Sequence, residues 1–265
     1  MDRDRRRFLQ LTTGGLIHVS CRPLPAIGES EEIGLLIRRA AERGHTDLGW
    51  LKSYHSFSFG GYMNRSHMGF RSLRVINDDR IVAGRGFPTH PHRDMEILSY
   101  VLDGALQHRD STGKGSVVRR ADVQMMTAGT GVTHSEYNPS ATSENHFLQI
   151  WIQPAHRALR PQYQQHHVED AAKLDVLRLI ASPQAQRGVS RINQDAHIYA
   201  SILRPGAAAS HTIERGRHGW LQVAQGDVSV NGIRLSAGDA VATSRPTQLH
   251  MKSAAKSELL LFNLG

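Results

Sequence analysis

Gly84-Arg85-Gly86-Phe87-Pro88-Thr89-His90-Pro91-His92 and Gly129-Thr130-Gly131-Val132-Thr133-His134-Ser135-Glu136 are the two stretches that decide how this chain is read. In each, a glycine-containing lead-in runs into a short segment with metal-binding side chains at alternate positions. Side chains alternate across a β-strand with a period of two. His90 and His92 therefore point to one face of an extended segment, and His134 and Glu136 to one face of another. If the two strands face each other, three imidazole nitrogens and a carboxylate oxygen converge on one point. That donor set suits a divalent transition metal and is too rich in nitrogen for magnesium or calcium. A His-x-His pair alone is weak ground in a chain with 16 histidines. The answering His-x-Glu makes the signal specific.

Outward from these stretches the chain reads as all-β. Its 24 glycines, 10 prolines and short Val/Ile/Leu/Thr runs imply frequent turns between short strands. Strands are expected near Leu73–Ile76, Arg80–Gly84, Glu96–Leu102, Ala105–Asp110 and Gln124–Thr127. The segment His146–Gln153 alternates like a half-buried strand, with His146, Leu148, Ile150 and Ile152 on one face. Helical patterns cover Glu31–Glu42 and, more weakly, Glu169–Asp175. A faint internal repeat sets Val101 to Gly104 against Val223 to Gly226, Arg120 to Val123 against Ala237 to Ala240, and His134 against His250. It predicts a duplicated barrel whose second copy lacks the ligand set, because Lys252 falls where Glu136 would stand. His211 with His250 is the only pair that offers a second metal site. The expected divisions are 1–30 as a leader or tail, 31–155 as the metal-binding domain, and 156–265 as a second barrel without ligands.

The lead-in glycine, His90-Pro91-His92, Glu96 and Gly104 resemble the first cupin motif, with one extra residue before Gly104. Gly129 to His134, followed by Asn138, resembles the second, with Gly129 where proline usually stands. Within the cupins, His90 to Leu98, Gly129 to Asn138 and Phe70 to Asp79 resemble the pirin family. The likeness runs from about Ile37 to the C-terminus and is densest between Trp50 and Pro154. It implies a bicupin, two double-stranded β-helix barrels with short helices. It also implies a metal held by His90, His92, His134 and Glu136, with Glu96 structural or outside the ligand set. The bacterial branch includes quercetin dioxygenases. The resemblance therefore implies a flavonol such as quercetin and O2 as substrates, Glu136 as the base for the 3-hydroxyl proton, and ring opening with release of carbon monoxide. Iron(II) is the first expectation for the metal, although Mn, Co, Ni, Cu and Zn accept the same donors. A non-catalytic, iron-dependent redox regulator, as proposed for eukaryotic pirins, and another metal-dependent cupin activity are the alternatives. His108, His146, His156 and His166-His167 carry no motif and read as structural or surface histidines.

The net charge of +8 invites a nucleic-acid partner, but Arg71, Arg74, Arg80 and Arg85 are scattered among Asp78 and Asp79 rather than clustered. No specific nucleic-acid partner is expected, no run is long and apolar enough to span a membrane, and a monomer is expected. Arg5-Arg6-Arg7-Phe8-Leu9-Gln10, followed by a weakly apolar stretch, resembles a twin-arginine signal. It predicts a periplasmic protein, with a cytoplasmic one as the alternative. Cys21 is the single cysteine, so no intramolecular disulfide forms.

Overall fold

Leu51–His55 alternates buried and exposed residues one by one, as a strand with one dry and one wet face does. Glu96–Asp103 and Asn145–Ile152, by contrast, are buried on nearly every residue. Strands of the second kind need cover on both faces, and the molecule supplies it with two barrels packed face to face. The computed structural model describes residues 34–265. The expected leader, Cys21 and the first part of the expected Glu31–Glu42 helix lie outside the described residues. Among the described residues no helix is long and apolar enough to cross a membrane.

Each barrel combines a seven-stranded and a four-stranded sheet. In the first barrel the large sheet runs, in spatial order, Gln162–His167, Asp122–Thr127, Glu96–Asp103, Asn145–Ile152, Leu73–Ile81, Leu51–His55 and Gly44–Asp47, all antiparallel. Facing it are Gly86–His92, Val132–Tyr137, Ala105–Asp110 and Gly115–Arg119. The second barrel repeats the plan. Its large sheet centres on His218–Gln225, Ser257–Leu264 and Ala196–Leu203, and its small sheet on Ala208–Ile213 and Thr247–Ser253. This is the bicupin fold, nearly all β. The only α-helix among the described residues is Asp170–Lys173, within the helical stretch expected at Glu169–Asp175.

The largest apolar core lies between the barrels. Leu98, Leu148, Ile150 and Ile152 of the first pack with Ile198, Ala200, Trp220, Leu260 and Phe262 of the second. So the apolar face read from His146–Gln153 is the face toward the second barrel. Its other face, carrying Phe147, Gln149 and Trp151, looks into the first barrel, and the strand is buried on both sides.

Several expectations shift. The strand expected at Arg80–Gly84 is the end of one long strand, Leu73–Ile81, after which the chain turns through Gly84 at positive φ. The described part of the expected Glu31–Glu42 helix is strand Leu36–Arg38 followed by a single 3₁₀ turn at Ala40–Glu42. Pairing with Ala240–Thr243 of the second barrel overrides the local helical pattern there. That strand and Gln162–His167, which completes the first barrel's sheet, each lie across the division expected near residue 155.

Candidate metal centre

Strand Gly86–His92 pairs antiparallel with Val132–Tyr137, and the register sets His134 opposite His90 and Val132 opposite His92. The register slips between His134 and Glu136, so that Glu136 faces Phe87. The extra residue falls in the stretch holding Pro88 and Thr89, a bulge where proline's missing N–H costs no ladder bond. Two glycines make the approach possible. A Cβ on Gly86 would stand 2.2 Å from the Glu136 carbonyl oxygen. Gly129 sits at φ +48, and its Cβ would collide with the Leu159 carbonyl oxygen. The glycine that replaces the usual motif proline thus fixes the turn leading to His134.

The three histidines meet. Ring centroids are 4.8 Å apart for His90 and His92, 4.4 Å for His90 and His134, and 4.7 Å for His92 and His134. One ring nitrogen of each lies within 4.8 Å of the others. Their hydrogen bonds decide which nitrogen is free. His90 Nδ1 lies 2.8 Å from the Pro88 carbonyl, which can only accept, so Nδ1 carries the proton and Nε2 keeps its lone pair. His134 is set through two further residues. His108 Nε2 donates to Asp110 Oδ2 at 3.1 Å, which leaves His108 Nδ1 as acceptor for the proton on His134 Nδ1, 3.4 Å away. His134 Nε2 then has a lone pair, is buried and has no partner. Burial, with the neighbouring imidazoles, lowers the pKa of His92 to about 4 and of His134 to about 3. Both are neutral at physiological pH, as ligands must be.

Glu136 is buried beside this trio. Gln149 Nε2 lies 2.9 Å from each of its carboxylate oxygens, and Ser99 Oγ donates to Gln149 Oε1 at 3.1 Å. A second close group, His108, His134 and Glu136, shares His134. It is wholly buried, and both His108 nitrogens are engaged by Asp110 and His134, which leaves His90, His92 and His134 as the group with free lone pairs. A divalent metal fits these residues on the orphaned His134 Nε2 and on the donor set itself, with Glu136 at the side of the trio.

The trio opens on a cavity of about 300 Å³ that His90, His92 and Glu136 line. Leu48, Leu51, Phe59, Phe87 and Trp151 give it flat apolar walls. A polar row crosses the barrel interior at this level: His55, Asn77, Gln149, Ser99, Gln124 and Gln165 are successive cross-strand partners. The sequence reading missed His108, Asp110, Ser99 and Gln149. His108 and Asp110 do alternate on their strand, but only cross-strand pairing, His134 with Asp110 and Glu136 with His108, brings them to the site.

Other histidines and acids lie apart from the site or outside its trio. Glu96 accepts bonds from Thr127 Oγ1 (3.1 Å) and the Asn193 backbone (3.2 Å), joining the first barrel to the chain that leads into the second. His146 Nε2 bonds Asp78 Oδ1 at 2.6 Å, His167 sits exposed between Asp122 and Glu169, and His156 is exposed. In the second barrel His250 is exposed while its neighbours Leu249 and Met251 are buried. It pairs with Ser210, whereas His211 pairs with Leu249. His211 and His250 therefore face opposite sides of their sheet and form no common site.

Comparison with known proteins agrees with this geometry. Residues 37–152 match the pirin family model, and residues 179–264 match that of the quercetinase C-terminal cupin domain. The chain is 43% identical over 230 residues to an Escherichia coli protein named quercetin 2,3-dioxygenase, a match covering 87% of this chain and 98% of that one. The crystal structure of Escherichia coli YhhW superposes with a TM-score of 0.83 at 43% identity, covering 87% of this chain and 97% of that one. A second structure of that protein, described as a bacterial pirin in complex with nickel(II), gives a TM-score of 0.82 with 87% and 98% covered. On its sequence, its fold and its relatives, the chain belongs to the pirin family.

Proposed function

We propose that the protein is a metal-dependent dioxygenase that opens the central ring of a flavonol such as quercetin with O2 and releases carbon monoxide. The metal is proposed to be iron(II), with His90, His92, His134 and Glu136 as ligands. The observation that carries this reading is the buried, unpartnered His134 Nε2 beside His90 and His92 at the edge of an aromatic-walled cavity. The metal would supply open positions for O2 and a substrate oxygen and would lower the pKa of a bound enolic hydroxyl. Glu136 is proposed to receive that proton, a role supported by its burial beside His134, where Gln149 bonds both its oxygens. The apolar walls of Phe59, Phe87 and Trp151 suit flat aromatic rings and keep bulk water away. The relative named quercetin 2,3-dioxygenase supports the substrate class. The nickel(II) complex supports a divalent metal in such a site, but nickel binds nitrogen and oxygen donors more tightly than iron(II), so its presence there does not select the physiological metal.

The test is oxygen uptake by the iron-loaded protein on addition of quercetin, with carbon monoxide trapped and counted. One CO per O2 consumed is expected. No uptake in the metal-loaded protein would overturn the proposal.

We also infer that residues 1–30 direct export by the twin-arginine route, on the strength of Arg5 to Gln10. That route carries folded proteins, so the metal is chosen before export. A reporter fused to residues 1–30 is expected to reach the periplasm, and Arg5→Lys with Arg6→Lys is expected to hold it in the cytoplasm. Retention of the unaltered fusion would leave the cytoplasmic alternative standing.

A further inference from the structure

The cavity has a second polar wall, on strands Leu51–His55 and Leu73–Ile81, that the metal centre does not use. Most of this wall is satisfied internally. His55 Nδ1 donates to Asn77 Oδ1 at 2.8 Å, and the Thr46 hydroxyl donates to His55 Nε2 at 2.9 Å. Gln149, between this wall and Ser99, is held by Glu136 and Ser99. Asp79 differs. Its side chain lines the cavity and is 2% exposed, and its Oδ1 has no hydrogen-bond partner. Among the described residues it enters no ion pair; Arg43 and His146 both go to Asp78, on the other side of the strand. Trp151 is the second unmet group. Its indole N–H is buried without a partner, while its ring stands edge-on to His92, centroids 4.8 Å apart.

Buried polar groups in folded proteins are nearly always hydrogen-bonded, and the exceptions need a reason. An ionised carboxylate without a partner is costlier still than a neutral one. Burial, with the charges of Asp78 and Glu136 and against the opposing effect of Ser53, pushes the Asp79 pKa up to about 7. The group therefore carries a proton much of the time. A neutral carboxyl both donates and accepts, which matches a phenolic hydroxyl or a ring carbonyl and nothing on an unsubstituted ring.

We propose that Asp79 binds an oxygen substituent of a polyphenol, with the Trp151 indole N–H as a separate donor farther along the same cavity, so that the cavity prefers hydroxylated flavonols over bare ones. The proposal rests on the reading of the cavity as a flavonol site. It goes beyond that reading in assigning recognition to Asp79, on the wall that holds no metal ligand, and to the Trp151 N–H on strand Asn145–Ile152. A ligand without hydroxyls makes no bond to Asp79 Oδ1 and gains none of the affinity that bond would supply.

The test is anaerobic binding to the nickel-loaded full chain, read by the absorbance of two probes. Quercetin carries hydroxyls around its rings; 3-hydroxyflavone keeps only the 3-hydroxyl and the 4-carbonyl. The wild type is expected to favour quercetin by about tenfold or more, the effect of one good hydrogen bond or better. Asp79→Ala is expected to cut the preference below about threefold while leaving metal content and 3-hydroxyflavone affinity unchanged. Asp79→Asn, close in shape and still able to donate, is expected to retain an intermediate preference and to guard against misfolding of the alanine variant. A quercetin preference undiminished in both variants, or equal loss for both probes with metal retained, would overturn the subsite. Failure of the dioxygenase reading looks different: an Asp79-dependent preference with no oxygen uptake in air. A wild type that binds neither probe would overturn both.

Discussion

His134 has a free Nε2 because two other residues place its proton. Asp110 fixes the proton of His108 on Nε2, and His108 fixes that of His134 on Nδ1. Such outer partners hold a ligand's tautomer and ring orientation, and losing one typically lowers metal affinity by about 10–100-fold. His108→Leu is expected to show a loss in that range by competition with a chelator. His108→Asn, which returns an acceptor near the Nδ1 position, is expected to recover part of it. Equal affinity in all three proteins would show that His134 needs no such support. The meeting of His90, His92 and His134 was legible in the sequence because alternation and spacing are local properties. His108 and Asp110 were not, since their meaning arises only when Ala105–Asp110 pairs with Val132–Tyr137. Asp79 was hidden differently: in the sequence it is one more charge among scattered arginines, yet it points inward between Ser53 and Phe147.

Strand Asn145–Ile152 shows where an element misleads. Its alternation set His146, Leu148, Ile150 and Ile152 on one face. It could not reveal that the more polar face is also dry. Gln149 on that face holds Glu136, and Ile150 on the other packs between the barrels. The two faces are expected to separate in experiment. Ile150→Ala should lower stability by about 2–5 kcal/mol, as deletion of a fully buried aliphatic group does, while the folded protein keeps its full metal content. Thermal unfolding with metal analysis of the folded fraction checks both. Metal lost in step with stability would mean that the interbarrel face also shapes the site. Strand Leu36–Arg38 was misread as helix for a related reason, because its structure is decided by pairing with Ala240–Thr243, some two hundred residues away.

At the scale of the molecule, a buried polar network also joins the barrels. Glu258 of the second accepts from Tyr100 of the first at 2.5 Å and from Arg120 at 2.8 Å, and Lys173 donates to Tyr100 at 3.2 Å. Removing one partner of such a group strands a charge, so the network fixes how the barrels dock as much as it stabilises them. The duplication was visible in the sequence at its turns, where Gly104 and Gly226 take similar positive φ values of +72 and +80. It slipped by one residue at His250, where Leu249 and Met251 face inward instead. The second barrel thus fills with apolar side chains the interior that the first gives to its metal centre and cavity. That this centre, with Glu136 as ligand and base, performs flavonol oxygenation is the proposed function. It is tested most directly by titrating the metal-free chain with iron(II) under air in the presence of quercetin, for the wild type and for Glu136→Gln. Oxygen uptake should rise in proportion to bound metal and level off at one ion per chain, and Glu136→Gln should bind some metal yet lose most turnover. Full uptake by the metal-free chain, or undiminished turnover in Glu136→Gln, would contradict it.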